Sequence, residues 1–210
     1  MPGYKDYGYA NGTYSHVHRY ILQPLLSILS QKDNRLILDI GCGNGWLCNH
    51  LITLGFNAYG IDASESGIAV AKQNDPDRFF LQDITGNELL KGLDGIPFNT
   101  IISTEVIEHL YGPRDYFSMC RNILRKAGGG ELIITTPYHG YLKNLALSLS
   151  GRMDKHFTVL WDGGHIKFWS KKTLFHVLEE QGFTNIQFIG CGRIPWLWKS
   201  MMVKASIQNK

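Results

Sequence analysis

The feature that most constrains this chain is the run Leu36-Ile37-Leu38-Asp39-Ile40, followed at once by Gly41-Cys42-Gly43-Asn44-Gly45. Near-continuous apolar residues read as a strand buried on both faces, the pattern of a parallel sheet covered by helices. Glycines at alternate positions break the strand and allow positive φ. Trp46 to Leu54 can then form a helix. Strand, glycine turn and helix in that order place backbone N–H groups at the carboxyl edge of a sheet, where open α/β folds bind ligands.

The rest of the chain keeps this alternation. Asn57 to Ile61 reads as a second strand ending at Asp62, with Ser64 as N-cap of a helix to about Gln73. Phe79 to Leu81 and Asn99 to Thr104 are further strands, and a helix near Arg114 to Arg125 precedes a fifth strand, Glu131 to Thr136. Lys171 to Gln181 reads as a helix and Ile186 to Ile189 as a sixth strand. Lys199 to Ile207 is a last strand after a hairpin-length connection, hence antiparallel. Residues 138–169 show no clean period and are read as an insertion that covers the substrate. The expected organisation is an N-terminal lid and helix over 1–34, then one α/β domain over 35–210.

Composition excludes several classes. With 21 Lys and Arg against 18 Asp and Glu, the net charge of +3 lacks the basic excess of a dedicated nucleic-acid binder. The cysteines at 42, 48, 120 and 191 include no C-x-x-C pair and read as reduced thiols. No signal-like N-terminus is present, and no apolar run approaches the ~20 residues of a transmembrane segment, so the chain reads as cytoplasmic. The apolar cluster Ile194-Pro195-Trp196-Leu197-Trp198 leaves three readings open: packing under the insertion, contact with a second subunit, or peripheral contact with a membrane.

Two details narrow the ligand of the glycine loop. The dinucleotide fingerprint needs a further glycine at position 46, where this chain has Trp46. Asp39, just before the loop, would repel a pyrophosphate but suits a ligand with an ammonium group. Asp62 stands where acidic residues accept hydrogen bonds from ribose hydroxyls. Asp83, ending the third strand, could accept from an adenine amine.

The stretches LILDIGCGNGWL, GID at 60–62, LQDI at 81–84 and STEVIEHL resemble class I S-adenosylmethionine-dependent methyltransferases over about residues 35–136. The resemblance implies a Rossmann-like, doubly wound α/β sheet of seven strands, the last antiparallel, with helices on both faces. It further implies that Asp39, Gly41 and Gly43 surround the methionine part, Asp62 the ribose, and Asp83 with Ile84 the adenine. Cys42, Ala63 and Thr104 complete the expected cofactor-binding set.

After the fourth strand comes Glu105-Val106-Ile107-Glu108-His109. A helix beginning there would stack two carboxylates and an imidazole on one face. With His165 from the insertion, Glu105, Glu108 and His109 could bind Mg²⁺, Mn²⁺ or Zn²⁺. The E-x-x-E-H run is similar to that of the ubiquinone-biosynthesis catechol O-methyltransferases. With a later histidine it also resembles the small-RNA terminal 2′-O-methyltransferases, and both groups use a metal. His109 as a metal-free general base is the nearest rival, and His109 and His165 are the expected catalytic residues. Tyr138, His139, Tyr141, His156, Trp161 and His165 are the expected lining on the substrate side. The expected activity is methyl transfer to a small-molecule acceptor, at a hydroxyl oxygen. A metal-free N- or C-methyltransferase, an RNA-terminal 2′-O-methyltransferase and a non-catalytic cofactor-binding scaffold are the alternatives.

Overall fold

The structure is a computed structural model that describes residues 6–33, 35–84, 89–157, 160 and 163–208. Seven strands form one sheet: β1 (Leu36–Ile40), β2 (Asn57–Asp62), β3 (Phe79–Leu81), β4 (Thr100–Thr104), β5 (Gly129–Pro137), β6 (Thr184–Cys191) and β7 (Ser200–Gln208). Their order is β3-β2-β1-β4-β5-β7-β6. The first five run parallel, whereas β7 pairs antiparallel with both β5 and β6. The order reverses between β1 and β4, so a ligand crevice opens at their carboxyl ends.

Alternation along the central strands builds two cores. Leu38, Ile40, Ile101, Leu132 and Ile134 face α5 (Pro113–Lys126) and α8 (Lys171–Glu180), where Phe117, Leu124, Leu174 and Leu178 are buried. Ile37, Ile102 and Ile133 face the opposite side, against Ile21, Leu25 and Leu29 of α1 (His18–Leu29) and Leu47 and Leu51 of α2 (Trp46–Thr53). Helices therefore cover both faces, as the sequence predicts. The buried Arg35 guanidinium ties α1 to the sheet, donating to the carbonyls of Ile28 and Leu29 and to Glu131. Those carbonyls lie in the last turn of the helix, where intrahelical partners run out, and that of Ile28 accepts from the Gln31 N–H as well.

Ser64 caps α3 (Glu65–Ala71) by accepting from the Gly67 N–H, as expected. Three local readings need correction. A short helix, α4 (Lys91–Asp94), lies between β3 and β4 where none was expected. The insertion read as irregular contains α6 (Tyr141–Leu149) and α7 (Met153–Phe157). The helix expected to begin at Glu105 is absent: Glu105 takes φ 55, and only a single 3₁₀ turn, Ile107–His109, follows. Among the described residues, no helix is long and apolar enough to cross a membrane.

Candidate active site

The glycine loop joins β1 to α2. Gly41 and Cys42 both donate their N–H groups to the Ile61 carbonyl, which folds the loop back over the end of β2. Gly45 takes φ 73, and a Cβ there would stand 2.4 Å from the Ala71 Cβ. Helix packing that a dinucleotide site assigns to a later glycine is thus served here by Gly45, leaving position 46 to tryptophan. Gly43 is approached from outside the sheet, since a Cβ on it would meet the Tyr9 hydroxyl at 2.6 Å.

Asp39 ends β1 almost fully buried, and neither carboxylate oxygen has a hydrogen-bond partner among the described residues. Burial, reinforced by the charge of Asp62, pushes its carboxyl up to about 8. Such a group is poised to ionise when a cation arrives, and an amino-acid ammonium group would meet that need. Asp62 accepts from the N–H groups of Gly43 at 2.7 Å and Ser64 at 2.8 Å. These bonds fix its carboxylate at the crevice, although burial still raises its pKa. Asp83 and Ile84 follow β3 on the same edge, half-buried. Ala63 and Thr104, both half-buried, stand at the ends of β2 and β4.

The N-terminal segment lies across this loop. Asp6 accepts from the hydroxyls of Ser64 and Ser66 at 2.7 and 2.6 Å and from the Ser66 N–H at 3.0 Å. Asn44 donates to the carbonyls of Asn11 and Thr13, both at 2.9 Å. The expected lid over 1–34 did not single out Asp6, whose contacts run to two serines about 60 positions away.

The other side of the crevice is built by stitching the insertion to the turn after β4. Val106 packs against Gly41, so this turn adjoins the glycine loop. The Glu108 carbonyl accepts from the N–H groups of both Ile166 and Lys167 at 2.9 Å, and Trp169 donates to the Ile107 carbonyl at 3.2 Å. These bonds bring His165 beside His109, with ring centroids 5.1 Å apart. One ligand atom each from Glu108, His109 and His165 lies within 4.8 Å of the others. Three of the four predicted metal residues therefore converge.

Glu105 stands apart from that group. Its left-handed backbone turns the side chain toward the sheet, where it accepts from Ser200 at 2.6 Å and Thr135 at 2.9 Å. Helical stacking with Glu108 and His109 is thereby lost.

Polar satisfaction distinguishes the members of the group. Glu108 accepts from the Thr136 hydroxyl at 2.9 Å through Oε2, while neither its buried Oε1 nor His165 Nδ1 has a partner among the described residues. Burial and the neighbouring Glu105 raise the Glu108 carboxyl well above the usual range. His109 Nδ1 lies 2.7 and 3.1 Å from the carbonyls of Gly163 and Gly164. Carbonyls only accept, so Nδ1 carries the proton and the lone pair lies on Nε2. Burial, aided by His109, lowers the His165 imidazole to about 4, and burial lowers His109 as well despite the two carbonyl bonds. Neutral imidazoles and a carboxylate are a donor set that a divalent cation of the Mg²⁺, Mn²⁺ or Zn²⁺ kind can use.

The other predicted lining residues divide. His139 is buried, its ring 5.2 Å from that of His156. Tyr138 instead packs edge-on to Trp198 at 5.1 Å, beneath the insertion. Tyr141 is 80% exposed at the start of α6. Trp161 lies outside the described residues.

A reversed seventh strand, a glycine loop after β1 and acidic residues ending β1 and β2 define the Rossmann-like methyltransferase class. Agreeing with this, a family described as "Methyltransferase domain" matches residues 14–188. The chain belongs to that family of S-adenosylmethionine-dependent methyltransferases. It is 30% identical over 171 residues to the ubiquinone biosynthesis O-methyltransferase of Roseobacter denitrificans, covering 78% of this chain and 66% of that one. It is 35% identical over 118 residues to the protein of the same name from Caulobacter sp., covering 55% of this chain and 45% of that one. The chain thus spans less than two-thirds of these relatives' length. Among solved structures, the methyltransferase domain of bacterial CtHen1-CN matches with a TM-score of 0.64 at 21% identity, covering 89% of this chain and 97% of that one. Magnesium protoporphyrin IX methyltransferase from Synechocystis PCC 6803, with bound SAH, matches with a TM-score of 0.61 at 21% identity, covering 89% and 81%.

Proposed function

We propose that the protein moves a methyl group from S-adenosylmethionine to a hydroxyl oxygen of a small-molecule acceptor, in the cytoplasm, with Glu108, His109 and His165 holding a divalent cation. The observation that carries this reading is the convergence of those three side chains, one orphaned carboxylate oxygen among them, beside the glycine loop. The names of the O-methyltransferase relatives support a hydroxyl acceptor. The four buried free cysteines support a reducing compartment.

Asp39 pairs with the ammonium group of the cofactor, with Gly41, Cys42 and Gly43 presenting backbone to its methionine part. Asp62 and Ala63 hold the ribose, Asp83 and Ile84 the adenine, and Thr104 stands at the end of β4 toward the acceptor. S-adenosylmethionine supplies an electrophilic methyl group on a sulfonium sulfur, so the chain's task is to align a nucleophile with it. A cation at Glu108, His109 and His165 would lower the pKa of the acceptor hydroxyl and fix its oxygen. His109 Nε2 is the proton acceptor where no cation is bound, its ring held by the Gly163 and Gly164 carbonyls. The N-terminal segment and the insertion exclude water from both.

A product assay for S-adenosylhomocysteine across catechols, phenols, amines and short RNAs tests the reading. Turnover with a catechol or phenol is expected, lost to a chelator and restored by Mg²⁺, Mn²⁺ or Zn²⁺. Product from amines or RNA alone would replace the acceptor class. Full activity after chelation, with no metal by elemental analysis, would leave His109 as a metal-free base.

A further inference from the structure

Lys143 reverses the usual order of an amphipathic helix. Among the residues of α6 it is the buried one, only 4% exposed, while Leu142, Leu145 and Leu149 face outward. Its ammonium donates to the Lys199 carbonyl at 3.2 Å, and no carboxylate of the described residues comes within ion-pairing distance. Glu105 is near enough to be felt, but its carboxylate already accepts from Ser200 and Thr135. Burying an ammonium with a single neutral partner is costly unless something else compensates it.

Apart from Glu105, the groups that act on Lys143 are cations. Arg193, exposed in the β6–β7 connection, acts on Lys143 and on His156, and no ion-pair partner for it is found among the described residues. Among the described residues, His156 Nε2 is buried without a hydrogen-bond partner, while the buried His139 is engaged by the Asn144 side chain. The charge of Lys143 acts on His139, His156 and His165 alike; the His139 and His156 rings are 5.2 Å apart, and His165 belongs to the Glu108–His109–His165 group. Phe157 and Phe168, with ring centroids 4.6 Å apart, pack against His139 and close one side.

We propose that the methyl acceptor carries an acidic group, a carboxylate or a phosphate, and that Lys143, Arg193 and the imidazoles of His139 and His156 form the subsite that holds it. This rests on the hydroxyl of the same acceptor lying at Glu108, His109 and His165. An anion there gives the Lys143 ammonium a counter-charge of its own and gives the unpartnered His156 nitrogen an acceptor for an N–H. Rotating the Asn144 amide would present its NH₂ to the same group. A neutral acceptor leaves the ammonium buried and uncompensated.

The test uses the full chain saturated with S-adenosylhomocysteine. 3-Hydroxybenzoate, 3-hydroxyphenyl phosphate and the neutral 3-hydroxybenzamide are titrated calorimetrically, and methyl transfer to each is measured with S-adenosylmethionine. At least one acid should bind about tenfold or more tightly than the amide, the scale of a hydrogen bond between charged partners. Which acid does so distinguishes a carboxylate from a phosphate subsite. Lys143→Met should abolish the preference through KM, with S-adenosylhomocysteine affinity unchanged, and Lys143→Arg should restore much of it. Arg193→Ala, at an exposed position that cannot disturb the core, should reduce it. Equal binding of acid and amide by the wild type, or an acid preference that survives Lys143→Met, would overturn the subsite while leaving hydroxyl methylation standing. Lys143-dependent binding of an acid with no methylated hydroxyl product would support the subsite and sink the hydroxyl reading.

Discussion

The two halves of the crevice are built on opposite principles. On the cofactor side, Asp39, the glycine loop and Asp62 sit at strand ends of one parallel sheet, and hydrogen bonds local to β1 and β2 fix them. On the acceptor side, Glu108, His109 and His165 meet because a segment 54–62 residues further on is stitched to a single 3₁₀ turn. The first half is set by strand register, which a one-residue slip would destroy throughout. The second depends on five hydrogen bonds between loops, which can open without unfolding the sheet. Cofactor binding and chemistry are therefore separable by mutation.

The largest effect should come from breaking the register-set half at Gly45. Gly45→Ala must hold φ near 73 with its Cβ against Ala71 and Phe79. A left-handed non-glycine residue costs about 1–2 kcal/mol and overpacking about 1–3 more. Denaturant unfolding should show a loss of about 2–5 kcal/mol, and unchanged stability would mean that the loop is not packed as described. Asp62→Ala should weaken S-adenosylhomocysteine binding by about 1.5–3 kcal/mol, the usual loss for a hydrogen bond to a charged group. Calorimetry showing unchanged affinity would remove Asp62 from the site.

Asp39 offers a smaller, pH-dependent signal. Its folded pKa, about 8, lies above the unfolded value, so the ligand-free protein binds the extra proton. The stability this contributes is complete below about pH 4 and is lost as pH rises toward 8. Pairing with a ligand ammonium reverses the shift, so S-adenosylhomocysteine binding near pH 7 should release a proton. Calorimetry in buffers of differing ionisation enthalpy would detect that release, and Asp39→Asn should abolish it. Binding without proton exchange in the wild type would detach Asp39 from the ammonium.

The smallest effect concerns the loop-built half. Hydrogen exchange in residues 6–16 and in the insertion should slow when S-adenosylhomocysteine binds, because both segments lie over the crevice. Equal protection in the two states would leave the lid reading without support.

This division also explains what could be read from the chain. Leu36–Ile40, the glycines, Ser64 and Asp62 act through local geometry, so composition and spacing suffice to place them. The helices of the insertion escaped because the period rule assumes apolar residues inward. On α6 the leucines face out and Lys143 faces in. Glu105 misled for a related reason. Its E-x-x-E-H spacing presumes a helix, but its N–H continues the sheet to the Thr135 carbonyl at 3.1 Å, and the backbone then kinks left-handed. Asp6 and Ser200 reach the site only through long-range contacts that no local pattern encodes.

The central claim is that the cofactor half works without the acceptor half. Glu108→Ala and His165→Ala variants, each titrated with S-adenosylhomocysteine and assayed for methyl transfer on the same preparation, test it most directly. Cofactor affinity is expected within about threefold of wild type, a change of some 0.6 kcal/mol, together with loss of turnover by at least about a thousandfold. Loss of cofactor binding in either variant, or turnover near the wild-type rate in both, would contradict it.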